Sequence, residues 1–164
     1  RFRNVTGVQT CALPILEVVL DADPALEELL LDPDAMHCCL LNLASNALDA
    51  CLDMRCSRKA GRVLLRSCKR DGWGVEYCIE DNGCGMDAET KEKIFRTFFS
   101  TKGSKGTGLG LMIAQKIVGE HGGSIEVESE EGGGTCFVVR LPAGDNGVAL
   151  TSLRHSGESR NPEK

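Results

Sequence analysis

Long apolar runs are missing from this chain. Stretches such as Leu16 to Leu20 and Leu29 to Leu31 fall far short of the ~20 residues that a membrane-spanning helix needs. No membrane crossing is expected, and no signal peptide is visible. Also missing is any stripe of positive charge: Lys and Arg are scattered among acidic residues and the formal net charge is -5. A chain that tracks a phosphate backbone carries the opposite pattern, so nucleic acid is not an expected partner. There is no C-x-x-C pair, and Cys51 with Cys56 has no companion Cys or His pair at zinc-site spacing. Aromatic residues are few, 4% of the chain, which makes any cluster of them conspicuous. No internal repeat is apparent.

Cysteine and glycine are plentiful by contrast, with 9 and 19 copies. The cysteines include the adjacent pair Cys38 and Cys39 and otherwise sit inside apolar helix and strand patterns. They read as small core hydrophobes and reduced thiols, which places the chain in the cytoplasm. With 41% hydrophobic and 26% charged residues in 164, one globular core is expected. Glycine is therefore the residue to follow.

Both ends look foreign to that core. Val5 to Ile15, VTGVQTCALPI, resembles a translated sequencing-library adapter, so residues 1–15 read as a non-native extension. Arg154 to Pro162, RHSGESRNP, resembles the translated frame of an intergenic repeat, and residues 144–164 lack periodicity and read as a disordered tail. The domain is expected over residues 16–143.

Within it, Leu16 to Leu20 suits a strand, followed over Pro24 to Leu31 by a linker or short helical turn. Asp32-Pro33-Asp34 is helix-start chemistry. From Ala35 apolar residues recur at Met36, Leu40, Leu43, Ala47, Leu48 and Cys51, an amphipathic helix of about five turns. Arg62 to Lys69 and Gly74 to Glu80 alternate around Asp71-Gly72, which predicts a hairpin. A glycine loop, a short helix from Asp87 to about Phe95, a second glycine loop and a helix from Leu109 to His121 come next. Ser124 to Ser129 and Thr135 to Leu141 form a last hairpin. Helices interspersed among hairpins predict an α+β two-layer sandwich.

Four constellations carry chemistry. Asn42 and Asn46 lie one helical turn apart beside the apolar stripe. Asparagines in such places often bond only to nearby backbone, yet an amide oxygen is also a hard ligand suited to Mg²⁺, which binds mainly through nucleotide phosphates. Asp81-Asn82-Gly83-Cys84-Gly85 ends an alternating strand. By itself it is ordinary turn chemistry; as a binding site, its carboxylate would accept a hydrogen bond from the adenine amine while the glycines admit the base. Gly106-Thr107-Gly108-Leu109-Gly110-Leu111 precedes a helix, where backbone N–H groups can cradle phosphate. It is neither a Walker loop nor the fingerprint of a βαβ unit. Between the glycine loops lie Phe95, Phe98 and Phe99, three of the chain's five phenylalanines, with Lys102. They read either as a satellite hydrophobic cluster or as a nucleotide lid.

In this order N-x-x-x-N-A, D-x-G-x-G, F-x-x-F-F and G-x-G-x-G resemble the four nucleotide-binding boxes of the catalytic domain of two-component sensor histidine kinases, over about Leu16 to Pro142. The resemblance implies the Bergerat fold, a mixed sheet covered on one face by helices, with ATP and Mg²⁺ bound between helices and lid. It implies that Asn46 coordinates Mg²⁺, that Asn42 positions the triphosphate, and that Asp81 reads adenine. Gly83 and Gly85 would shape the base pocket, and Asp49, Met86 and Phe95 would also bind the ATP. Lys102 would approach the phosphates, which Gly106, Thr107, Gly108, Leu109 and Gly110 would enclose, and Asn42, Asn46 and Lys102 would serve catalysis. His37 has no assigned role.

Gyrase-type, mismatch-repair and chaperone ATPases of the same fold resemble E-x-x-x-N-A. Here the Glu position is Asn42, which cannot act as a general base, so hydrolysis is disfavoured. The short Phe99 to Gly106 segment is similar to the compact lid of nitrogen-regulatory sensor kinases. None of His37, His121 and His155 has the context of a phosphoacceptor. The implied partners are therefore a separate dimerisation and phosphoacceptor domain and a response-regulator receiver, with the isolated domain a monomer. The competing expectation is an anti-sigma-type regulatory module or serine kinase of the same fold.

Overall fold

A computed structural model describes residues 16–53, 60–95 and 108–143. The elements run β1 (Leu16–Ala22), α1 (Pro33–Leu52), β2 (Gly61–Arg70), β3 (Trp73–Asp81), α2 (Ala88–Lys93), α3 (Gly110–Glu120), β4 (Ser124–Glu130) and β5 (Gly134–Leu141). One five-stranded sheet has the order β1-β2-β3-β5-β4. β1 lies parallel to β2, and every other pairing is antiparallel. A parallel neighbour needs a crossover, and α1 supplies it. This is the mixed sheet of the expected α+β sandwich.

Local chemistry sets the element ends. The Asp32 carboxylate accepts hydrogen bonds from the backbone N–H of Asp34 and Ala35 at 3.0 and 3.1 Å, with Pro33 at the first helical position. This is an N-cap joined to a residue whose missing N–H costs nothing there. It starts α1 two residues before the expected Ala35. Asp87 caps α2 by accepting from the Thr90 N–H at 2.6 Å. α3 stops because Gly122 takes a positive φ of 68°; Gly122 N–H then bonds the Gly119 carbonyl and Gly123 N–H the Val118 carbonyl, the paired bonds of a Schellman motif. The stretch between β1 and α1 forms no helix. Its Leu26, Leu29 and Leu31 pack against the core instead.

The core lies between α1, α3 and one face of the sheet. Met36, Cys39, Leu43, Ala47 and Cys51 of α1 are buried at three- and four-residue spacing. They meet Ala114, Ile117 and Val118 of α3 together with Val63, Val75, Ile79, Phe137, Val139 and Leu141 of the sheet. The buried apolar side chains of the strands stand at odd-numbered positions, so alternation turns the even-numbered side chains to the opposite face. There Arg140 bridges three strands, with its Nε 2.6 Å from Glu76 and its Nη1 2.6 Å from Glu126. Arg66 pairs with Asp21 at 2.8 Å.

The cysteines depart in part from the expectation of core thiols. Cys39 and Cys51 are buried, but Cys38 is exposed and Cys68, Cys78 and Cys136 are half-buried. The last three sit at even strand positions, which alternation turns away from the helices. Cys84 is disulfide-bonded, a correction to the all-thiol reading. It lies in a half-buried loop between β3 and α2 and not in the apolar pattern that motivated that reading. The lid residues Lys102, Gly106 and Thr107, and the two chain ends, lie outside the described residues.

Candidate functional site

The site residues converge because one edge of α1 meets the ends of β3 and α3. The apolar stripe of α1 turns toward sheet and α3, which leaves Asn42 and Asn46, both half-buried, along its border. Asn42 Nδ2 donates to the Cys38 carbonyl at 2.9 Å, one turn back. That bond aims the amide oxygen outward from the helix, toward the first residue of α3. A Cβ built on Gly110 would lie 2.8 Å from Asn42 Oδ1. The first asparagine and the second glycine loop, distant in sequence, are therefore in contact, and a side chain at Gly110 would push the Asn42 amide aside. Gly108 has φ 66°, the left-handed conformation that favours glycine, where the chain enters α3.

At the end of β3, Asp81 is 5% exposed. Its Oδ1 accepts from the Gly83 N–H at 2.9 Å, and the backbone of Thr135 supplies a second hydrogen bond. Burial outweighs both bonds and pushes the carboxyl up to about 6, since a charged group loses its hydration faster than two amides replace it. The turn after it is packed tightly. A Cβ on Gly83 would meet the Ala50 backbone of α1 at 2.5 Å, and one on Gly85, whose φ is +62°, would lie 1.8 Å from the Glu130 carbonyl oxygen. These glycines hold the loop after Asp81 against α1 and the β4–β5 turn. Met86 and Phe95 pack partly buried on the core at the same end. Asp49 is exposed on α1.

Two residues that motif reasoning passed over hold the site together. Asn82, the variable position of D-x-G-x-G, accepts from the Arg62 N–H at 2.7 Å and donates to the Ala60 carbonyl at 2.9 Å. It ties the end of β3 to the start of β2. Thr135, buried and opposite Asp81 in the β3–β5 register, lies 3.0 Å from the Ser129 hydroxyl. Its only sequence signal was a hydroxyl in an otherwise apolar strand. His121, left without a motif, is structural. Its Nδ1 donates to the Ile117 carbonyl at 2.8 Å and its Nε2 accepts from the Asp32 N–H at 3.2 Å. His37 is exposed on α1.

Among the described residues no group of three His, Cys, Asp or Glu could hold a metal ion. The donors near the α1–α3 contact are amides. Such a set suits a cation that keeps most of its waters and is carried by phosphate oxygens, as Mg²⁺ is.

A family model described as histidine kinase-, DNA gyrase B-, and HSP90-like ATPase matches residues 31–145. The chain belongs to that ATPase family. Within it, its relatives are sensor histidine kinases. It is 40% identical over 139 residues to the sensor histidine kinase ZraS of Klebsiella oxytoca, covering 82% of this chain and 28% of that protein. To the signal transduction histidine-protein kinase AtoS of Escherichia coli K12 it is 35% identical, covering 85% of this chain and 22% of AtoS. The chain thus spans about a quarter of the length of these curated relatives. Among solved structures, the catalytic domain of histidine kinase ThkA matches with TM-score 0.64 and 32% identity, over 78% of this chain and 79% of that one. Full-length ShkA in complex with AMPPNP matches with TM-score 0.66 and 31% identity, over 77% of this chain and 25% of that one. The α+β architecture and the ATP-binding catalytic-domain assignment stand on these findings. No helix among the described residues is long and apolar enough to cross a membrane.

Proposed function

We propose that this catalytic domain, residues 16–143, binds Mg-ATP and donates its γ-phosphoryl group to a histidine on a separate dimerisation domain, from which it passes to a response-regulator receiver. The observation that carries the reading is the Asn42–Gly110 contact. It sets a neutral amide, in place of a carboxylate, against the phosphate-loop helix. An amide cannot take a proton from water, so the site lacks a base for hydrolysis at this position. A neutral imidazole nitrogen already presents a lone pair and needs only in-line placement and charge neutralisation.

The residues divide the work by position. The buried Asp81 carboxylate accepts from the adenine amine, with Asn82 and Thr135 fixing the strand ends around it. Gly83, Gly85, Met86, Phe95 and Asp49 line the base side. Asn42 and the α3 start, Gly108 to Gly110, position the triphosphate, and Lys102 with Gly106 and Thr107 closes from the lid. Asn46 would hold Mg²⁺ through its amide oxygen. The ion would neutralise charge on the β- and γ-phosphates.

Calorimetric titration with Mg²⁺ and AMPPNP tests the reading. Saturable binding is expected, lost in Asp81→Asn and in Asn46→Asp with the fold retained; normal affinity in both variants would refute the site assignment.

A further inference from the structure

Two thiols face each other on the sheet face opposite the one that packs on α1 and α3. Cys78 stands on β3 and Cys136 on the neighbouring β5, both half-buried, with their Sγ atoms 3.1 Å apart. We propose that they form a redox-active dithiol, which a hydroperoxide closes to a cross-strand disulfide.

Their surroundings separate them from the other described thiols. Cys39 is buried, and desolvation pushes its thiol up to about 11, so it is inert toward oxidants that need a thiolate. The hydrogen bond across the 3.1 Å contact holds the Cys78 thiol down, to about 7, while Cys136 is pushed up in return. The pair therefore shares one proton: Cys78 is the nucleophile and Cys136 is protonated. Arg66 lowers Cys78 further, whereas Glu76 and Glu80 oppose it, and Glu80 and Glu128 raise Cys136. Glu76 is itself paired with Arg140 and Arg70. The carboxylates left over repel an anionic oxidant, which points to a neutral hydroperoxide.

The steps balance. With hydrogen peroxide as the hydroperoxide, the Cys78 thiolate attacks one peroxide oxygen, forming S–O and breaking O–O, and the departing hydroxide takes a proton from solvent to leave as water. Cys78 is then a neutral sulfenic acid. It no longer draws the Cys136 proton, so Cys136 sulfur attacks it. The S–S bond forms, the S–O bond breaks, and the hydroxyl leaves with the Cys136 proton as a second water. Two thiols lose two electrons, and the peroxide gains them.

Closure must move the strands. The register pairs Cys78 with Val138 and Cys136 with Glu80, so the thiols are diagonal neighbours, a relation that usually places Cα atoms about 7–8 Å apart. Unstrained disulfides span about 4.4–6.8 Å, and strained ones are reduced more easily. The bridge is thus built to reopen. Pulling Cys136 toward β3 also drags Thr135, whose backbone bonds the Asp81 carboxylate, so oxidation should weaken nucleotide binding. This last step rests on the proposed nucleotide site.

The test treats the full chain with hydrogen peroxide, blocks the remaining thiols, and maps linked peptides by mass spectrometry. A Cys78–Cys136 linked peptide is expected, reversed by dithiothreitol. Cys136→Ser should stop at a Cys78 sulfenic acid that dimedone captures, and Cys78→Ser should give neither product. Absence of the linked peptide overturns the dithiol. AMPPNP titration of oxidised chain should show at least about fivefold weaker binding, in the usual range of coupled sites, with both Ser variants unaffected; a linked peptide with unchanged affinity overturns the coupling. If the reduced chain fails to bind AMPPNP, the nucleotide reading falls while the peptide map still decides the dithiol.

Discussion

Asp81 concentrates the tension between binding and stability in one side chain. Its carboxyl is held up at about 6 by burial, against an ordinary value of 3.8. The folded state therefore holds the proton more tightly than the unfolded chain does. Its contribution favours folding below about pH 4 and is lost as pH rises through about 6. Asp81→Asn removes the buried charge and keeps an oxygen for the Gly83 N–H. The variant should gain about 1–3 kcal/mol at pH 7.5 and almost nothing at pH 4, since each tenfold difference in proton affinity between folded and unfolded chain is worth about 1.4 kcal/mol. Urea melts at the two pH values check this, and an Asn variant less stable at pH 7.5 would contradict it. The same protonation weakens the acceptor offered to adenine. Wild-type AMPPNP affinity should fall by about tenfold between pH 7.5 and 5, the scale of one charge-assisted bond; a flat profile would show that Asp81 does not read the base. Gly85 carries the opposite lesson. A methyl there meets the Glu130 carbonyl oxygen at 1.8 Å in a left-handed backbone, so Gly85→Ala should cost about 2–4 kcal/mol. A melting temperature equal to wild type would mean that the loop yields freely.

Between elements, the contact of α1 with α3 is fixed at both ends by polar groups. Near the site, Asn42 meets Gly110. At the far end the His121 ring accepts from the Asp32 N–H at 3.2 Å, while the Asp32 carboxylate caps α1. One residue thus receives the backbone of the cap that another helix needs. Asp32→Ala should cost about 1 kcal/mol for the lost cap, and His121→Ala about as much for a lost bond. Because Asp32 belongs to both interactions, the double variant should lose less than the sum, with a coupling of about 0.5 kcal/mol or more. Strict additivity in chemical denaturation would show that the two helix ends are independent. The α1 cap was legible in Asp32-Pro33-Asp34, since caps are local chemistry. The His121 link was not, because it joins residues 89 positions apart and neither one signals the other.

At the scale of the molecule, one sheet face holds α1, α3 and the proposed nucleotide residues, and the other holds ion pairs and the Cys78–Cys136 pair. The proposed reaction is likewise divided, because this chain supplies a donor site and none of its histidines occupies a phosphoacceptor context. Incubated alone with Mg-ATP, the chain should release little phosphate and label none of its histidines. Added to a dimerisation domain taken from a sensor kinase relative, it should produce acid-labile, base-stable phosphate on that domain's histidine. Steady phosphate release by the chain alone, undiminished in Asn42→Ala, would replace the transferase reading with an ATPase.

The amino-acid sequence by itself determined the elements and the ATP-binding family. Periodicity placed α1, α3 and both hairpins within a few residues, and four motifs in order identified the nucleotide chemistry, because caps, turns and glycine requirements act over a few residues. The tertiary structure alone decided which distant groups touch. It placed Asn42 on Gly110, buried Asp81 against Thr135, turned His121 from a bystander into a helix tie, and moved Cys78 and Cys136 from an assumed core to an outer face. Strand order and register settle those contacts, and they are fixed by packing the sheet against two helices, a balance that no local stretch of the chain contains.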